Sequence, residues 1–120
     1  MKSVLIVDDS IVSRKMLAKL IESSGYTVAS HAINGKEALE LYKKLSPDVV
    51  TMDITMPEMN GIDALKMIRE YDSDAKVVII SAAGQAEKKQ QAMEAGAAGF
   101  VTKPYDNQDI LDAIAKCLED

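Results

Sequence analysis

Four short apolar runs, each halted by a polar residue, constrain this chain more than any other feature. Val4-Leu5-Ile6-Val7 ends in Asp8-Asp9, and Asp48-Val49-Val50-Thr51-Met52 ends in Asp53. Val77-Val78-Ile79-Ile80 ends in Ser81, and Gly99-Phe100-Val101-Thr102 ends in Lys103-Pro104. Near-continuous runs of this length and β-branched content suit strands buried on both faces. Segments with apolar residues at helical spacing separate them, so the chain reads as an α/β fold with a parallel sheet between helices.

The helical segments carry their own boundary signals. Val12, Met16, Leu17, Leu20 and Ile21 repeat at helical spacing, with Ser10 as the cap and Gly25 as the stop. A further strand over about Thr27 to His31 leads to Asn34, which can cap a helix carrying Ala38, Leu41, Tyr42 and Leu45, with Glu37 at the capping-box position. Ser46-Pro47 ends that helix. Asn60 caps a third helix with Ile62, Leu65 and Ile68 on one face. A fourth, roughly Ala86 to Ala95, has only small apolar residues and Met93, and is expected to be weakly held. The fifth starts at Asp106 and turns Ile110, Leu111, Ile114 and Leu118 inward.

Composition narrows the functional classes. With 120 residues the chain is expected to be one domain, 1–120. The net charge of −5 argues against a general nucleic-acid or anionic-membrane surface. The lone Cys117 excludes an internal disulfide and a cysteine-based zinc site, and its place in the last helix reads as packing. No stretch approaches membrane-spanning length, and the first apolar run is too short for a signal peptide, so a cytoplasmic location is expected. His31 is the only histidine, in a strand remote from the acids, and is not expected to be a ligand. Met16, Met67 and Met93 read as helix residues filling core or surface. Gly84-Gln85 and Gly96 are turn signals, without the Gly-Lys-Ser/Thr ending of a nucleotide loop.

If the runs are parallel strands of one sheet, their polar ends share one crevice. Asp8, Asp9, Asp53, the Ser81 hydroxyl and the Lys103 ammonium then converge. Carboxylate oxygens suit a hard cation such as Mg²⁺, which binds through one or two carboxylates plus phosphate. Asp53 is ionised at neutral pH and needs no base to act as a nucleophile. Its obstacle is the negative charge of a phosphoryl group, which a metal and Lys103 offset while Ser81 donates a hydrogen bond.

These residues, with Asp53-Ile54-Thr55-Met56-Pro57-Glu58-Met59-Asn60-Gly61, resemble the motifs of receiver domains of two-component response regulators, in order and spacing over essentially the whole chain. The nearest subgroup is the stand-alone chemotaxis regulators of the CheY type. The resemblance implies a flavodoxin-like, doubly wound five-stranded parallel sheet in the order 2-1-3-4-5 with five helices, an order known from CheY itself and carried over here. It implies that Asp53 accepts a phosphoryl group from a histidine kinase. Mg²⁺ is then bound by Asp8, Asp9, Asp53 and the backbone carbonyl of Thr55, with Asp8 acting mainly through water. Ser81 and Lys103 hold the phosphoryl oxygens, Ser81 and Phe100 form the switch, and the Lys103–Pro104 bond is cis. Phe100 stands where many relatives have tyrosine. Thr55 and Ala83 occupy the variable positions that tune phosphate lifetime.

The function implied is a phosphorylation-dependent switch whose helix 4, strand 5 and helix 5 surface changes affinity for a target. With no second domain after Asp120, output is expected to pass to another protein, the flagellar motor switch if the pathway is chemotaxis. A monomer is expected, with dimerisation on phosphorylation left open. Other single-domain relay regulators remain an alternative. A phosphatase of the haloacid-dehalogenase type is disfavoured, because that group has a second acid two residues after its nucleophile where this chain has Thr55. A fold used only for protein binding would predict a broken acid set, and here the set is complete.

Overall fold

The computed structural model describes residues 2–56, 59–82 and 86–119. Pro57, Glu58, Ala83, Gly84 and Gln85, which belong to the motifs above, lie outside the described residues. Strands and helices alternate: β1 (Ser3–Val7), α1 (Ile11–Ser23), β2 (Thr27–Ala32), α2 (Gly35–Leu45), β3 (Val49–Asp53), α3 (Gly61–Tyr71), β4 (Val77–Ser81), α4 (Ala86–Glu94), β5 (Gly99–Thr102) and α5 (Asn107–Leu118). All pairings are parallel and the sheet order is β2-β1-β3-β4-β5.

Alternation along the central strands divides the core into two layers, because successive side chains face opposite sides of a sheet. Val4, Ile6, Val49, Val78 and Ile80 pack with Leu17 and Ile21 of α1 and Ile110, Ile114 and Cys117 of α5. Leu5, Val7, Val50, Met52, Val77 and Ile79 pack with Ala38 and Tyr42 of α2, Leu65 and Ile68 of α3 and Ala92 of α4. The runs that end at Val7, Asp53 and Ser81 are therefore buried on both faces, whereas β2 and β5 form the edges.

Caps set the helix starts. Ser10 Oγ accepts from Ser13 N at 3.3 Å, Asn34 Oδ1 from Glu37 N at 2.8 Å, and Asn60 Oδ1 from Asp63 N at 2.9 Å. Glu37 does reach back, although its Oε1 accepts from Ile33 N at 3.2 Å and not from the cap residue itself. Ser46 closes α2 in the left-handed region at φ 46°. At the far ends of the same helices Tyr42 Oη donates to Asp72 Oδ2 at 2.7 Å, joining α2 to the end of α3.

Three expectations about buried faces need correction. Val12 and Met16 are 63% and 68% exposed, and Leu17 with Ile21 carries the contact of α1 with the sheet. Adjacent helix positions differ by about 100° of rotation, so the stripes 12–16 and 17–21 look alike in sequence while only one faces the sheet. Leu45 is also exposed; Met93, read above as core or surface, lies at the surface, so Ala92 is the buried side chain that anchors α4 among the described ones. Leu111 is only half-buried, and Cys117 joins Ile110 and Ile114 in the inward face of α5. No helix among the described residues is long and apolar enough to cross a membrane.

One buried group in the first layer is not satisfied. Thr51 sits between Ile6 and Val78, and its Oγ1 has no hydrogen-bond partner among the described residues. A dry hydroxyl costs more than an isosteric methyl. Thr51→Val is expected to raise stability by about 1 kcal/mol, seen as a higher urea midpoint with an unchanged slope. A lower midpoint would show that the hydroxyl is satisfied in solution.

Candidate phosphoryl and metal site

Strand register brings the polar residues to one rim. Val7 pairs with Met52, so Asp8 lies across from Asp53. Asp53 pairs with Ile80, and Ser81 with Thr102, which puts Ser81 one residue and Lys103 two residues further along the same edge. The ladder continues past the strand ends: Asp8 N donates to Ala32 O at 3.0 Å, Ile54 N to Ile80 O at 3.1 Å, and Lys103 N to Ser81 O at 2.7 Å. β1 and β3 are adjacent although they are not consecutive, and their following helices lie on opposite faces of the sheet. The crevice at this reversal of strand order is where ligands bind in open α/β sheets.

Within it, carboxylate oxygens of Asp8, Asp9 and Asp53 all lie within 4.8 Å of one another. Asp8 and Asp53 are buried, at 3% and 8% exposure, while Asp9 faces solvent. Lys103 Nζ stands 4.0 Å from Asp53 Oδ1. Ser81 is buried and its Oγ donates to the Ala82 carbonyl at 3.1 Å. Thr55 is exposed, and its backbone N–H favours the charged form of Asp53, the weakest of the influences on that group. The Lys103–Pro104 peptide is cis. Phe100, half-buried on the edge strand, packs against the α2–α4 layer, and His31 is exposed on β2.

Electrostatics at the rim are dominated by burial of like charges. Burial, then the Asp8 carboxylate, push Asp53 up to about 6, against the attraction of Lys103. Asp8 is also raised by burial, although the Ser10 N–H at 2.8 Å from its Oδ1 favours the charged form. Tyr105 is raised by burial and then by the charges of these two acids. One ammonium does not balance three carboxylates, so the donor set fits a hard divalent cation such as Mg²⁺ in both chemistry and charge.

Two residues at this rim acquire a role that the sequence did not assign: Gly61, quoted above only as the end of a motif, and Arg14, which none of the motifs above includes. A Cβ on Gly61 would stand 2.1 Å from the carbonyl oxygen of Asp53, so only glycine lets the start of α3 approach that backbone. Gly61 N donates to Ile54 O at 2.8 Å and closes the loop. An Asn-Gly pair signals a turn, but not what the glycine must avoid. Arg14 is the other: its Nη1 donates to the Asp8 carbonyl at 2.7 Å. An arginine in an amphipathic helix reads as a solvated charge.

Comparison with known proteins shows the family and the fold. The family pattern of the response regulator receiver domain matches residues 4–115. The chain is 51% identical over 115 residues to the chemotaxis protein CheY of Thermotoga maritima, covering 96% of each. It is 46% identical over 115 residues to the chemotaxis protein CheY of Bacillus subtilis, again covering 96% of each. A chain in the crystal structure of the CheX-CheY-BeF3-Mg²⁺ complex from Borrelia burgdorferi matches with a TM-score of 0.94 at 37% identity, over 99% of this chain and 90% of that one.

The raised Asp53 carboxyl has a measurable consequence for metal-free protein. Folding lifts this group from 3.8 to about 6, so its contribution is fully present below the lower value and lost as pH rises through the upper one. At about pH 7.5 in chelator, Asp53→Asn is expected to be more stable than wild type by on the order of 2 kcal/mol. The gain should shrink as pH falls from about 6 towards 3.8, followed by urea unfolding across that range. A gain independent of pH would show that repulsion at Asp53 is not its source.

Proposed function

Because this chain belongs to the response regulator receiver family, we propose that it accepts a phosphoryl group on Asp53 from the phosphohistidine of a histidine kinase, with Mg²⁺ as cofactor. The observation that carries the reading is the meeting of Asp8, Asp9, Asp53 and Lys103 at one sheet edge. In the transfer, an Asp53 carboxylate oxygen attacks phosphorus, the phosphorus–nitrogen bond breaks, and its electron pair returns to the imidazole of the kinase. Asp53 is deprotonated near neutral pH even with its pKa at about 6, so no general base is required.

Lys103, already within 4.0 Å of Asp53, would keep its ammonium on the phosphoryl oxygens as charge shifts onto them. The Ser81 hydroxyl, one strand away, would turn towards the same oxygens. Asp8, Asp9, Asp53 and the Thr55 carbonyl would hold Mg²⁺, which supplies positive charge against the repulsion between carboxylate and phosphate. Water attacking phosphorus would break its bond to the Asp53 oxygen, release inorganic phosphate and restore the carboxylate, so the only group turned over would be the one Asp53 itself carried.

Output would follow from the movement of Ser81 and Phe100, which changes the surface of α4, β5 and α5 and its affinity for a protein target. A few kcal/mol of differential binding is enough for such a switch. The relatives in Thermotoga maritima and Bacillus subtilis, both named chemotaxis protein CheY, favour a chemotaxis pathway. In such a pathway the target would be the flagellar motor switch and the location the cytoplasm.

Incubation with acetyl phosphate and Mg²⁺, read by mass spectrometry, is expected to place one phosphoryl group on Asp53. Labelling should disappear in chelator and in Asp53→Ala, and fall at least tenfold in Lys103→Ala, about the loss of one charge-stabilising contact. Labelling that ignores the metal, or that persists in Asp53→Ala, would overturn the proposal.

A further inference from the structure

A closed hydrogen-bond circuit ties the first turn of α1 to the acidic loop. Ser10 N donates to Asp8 Oδ1 at 2.8 Å, Ser13 N to Ser10 Oγ at 3.3 Å, and Arg14 N to Ser10 O at 3.0 Å. Arg14 Nη1 completes it by donating to Asp8 O at 2.7 Å, while Asp8 N is held by Ala32 O at 3.0 Å. The main chain and the carboxylate of Asp8 are thus both fixed, and Asp9 is carried between two anchored residues. Arg14 is half-buried over this loop and near enough to act on the Asp8 carboxylate.

We propose that Arg14 is a positioning residue for the cation site, anchoring the Asp8-Asp9 loop so that its carboxylates meet the ion together. This rests on the reading that the three acids hold Mg²⁺. The role can be separated from a simple charge effect by its sign. A guanidinium beside carboxylates repels a cation, so if its charge were all that mattered, removing it would tighten Mg²⁺ binding. If anchoring dominates, removing it loosens the loop and weakens binding, as loss of outer-shell support does at metal sites. A lysine keeps the charge but lacks the planar fork that reaches a carbonyl at fixed geometry.

Mg²⁺ binding by isothermal titration calorimetry, well below the unfolding temperature, tests this on wild type, Arg14→Met and Arg14→Lys. Arg14→Met is expected to weaken binding by about tenfold, the lower end of the effect of losing such a support. Arg14→Lys is expected to bind less tightly than wild type despite its unchanged charge. Without metal, amide hydrogen exchange across residues 8–10 should speed up in both variants. Equal or tighter Mg²⁺ binding by Arg14→Met, or wild-type affinity in Arg14→Lys, overturns the assignment. A wild type that takes up no Mg²⁺ overturns the metal reading and the assignment together, whereas failure confined to the variants' predicted weakening overturns Arg14 alone.

Discussion

Repulsion between the carboxylates of Asp8, Asp9 and Asp53 is the constraint around which this rim is arranged. Parallel register forces Asp8 and Asp53 to face each other, and the packed layers on both sides remove most of the water that would screen them. A protein without use for a cation would replace one acid, since burying uncompensated charge is costly. Here the cost is partly offset by donors aimed at the charged forms: the Ser10 and Thr55 amides and the more distant Lys103 ammonium. The remaining imbalance appears as the upward displacement of Asp8 and Asp53. The same imbalance would favour a divalent cation at this rim.

Topology explains why the imbalance falls where it does. Leaving β1 and β3 on opposite faces opens a crevice between two neighbouring strand ends, and each end contributes acid. The chain leaves β3 at Asp53 and returns to it at the start of α3, where Gly61 permits close approach to the Asp53 carbonyl and its N–H bonds to Ile54 O. The site is therefore built on strand ends and helix starts, where the ladder and the caps fix the backbone. Rigid placement of this kind suits chemistry that depends on charge position more than on covalent participation.

Most of the framework was legible from local signals. Apolar runs gave the strands, and Ser10, Asn34 and Asn60 marked helix starts through capping bonds that depend on only three or four neighbouring residues. The five site residues were found because each terminates a run, and termination is a local property. The exposure of Val12 was not legible because two neighbouring stripes on α1 carry equal hydrophobicity. Which stripe faces inward depends on how the whole helix lies on the sheet, and no local pattern encodes that.

Sequence alone determined which segments are strands and which are helices, and which polar groups close each strand. Those outcomes follow from side-chain periodicity and short-range hydrogen bonding. Only tertiary structure decided that Arg14 reaches back to the Asp8 carbonyl, that Gly61 must lack a Cβ, and how far burial and then Asp8 raise Asp53. The reason is physical: steric exclusion and Coulomb repulsion fall off over a few ångströms in space, and residues 8, 14, 53 and 61 acquire those separations only when the strands pair.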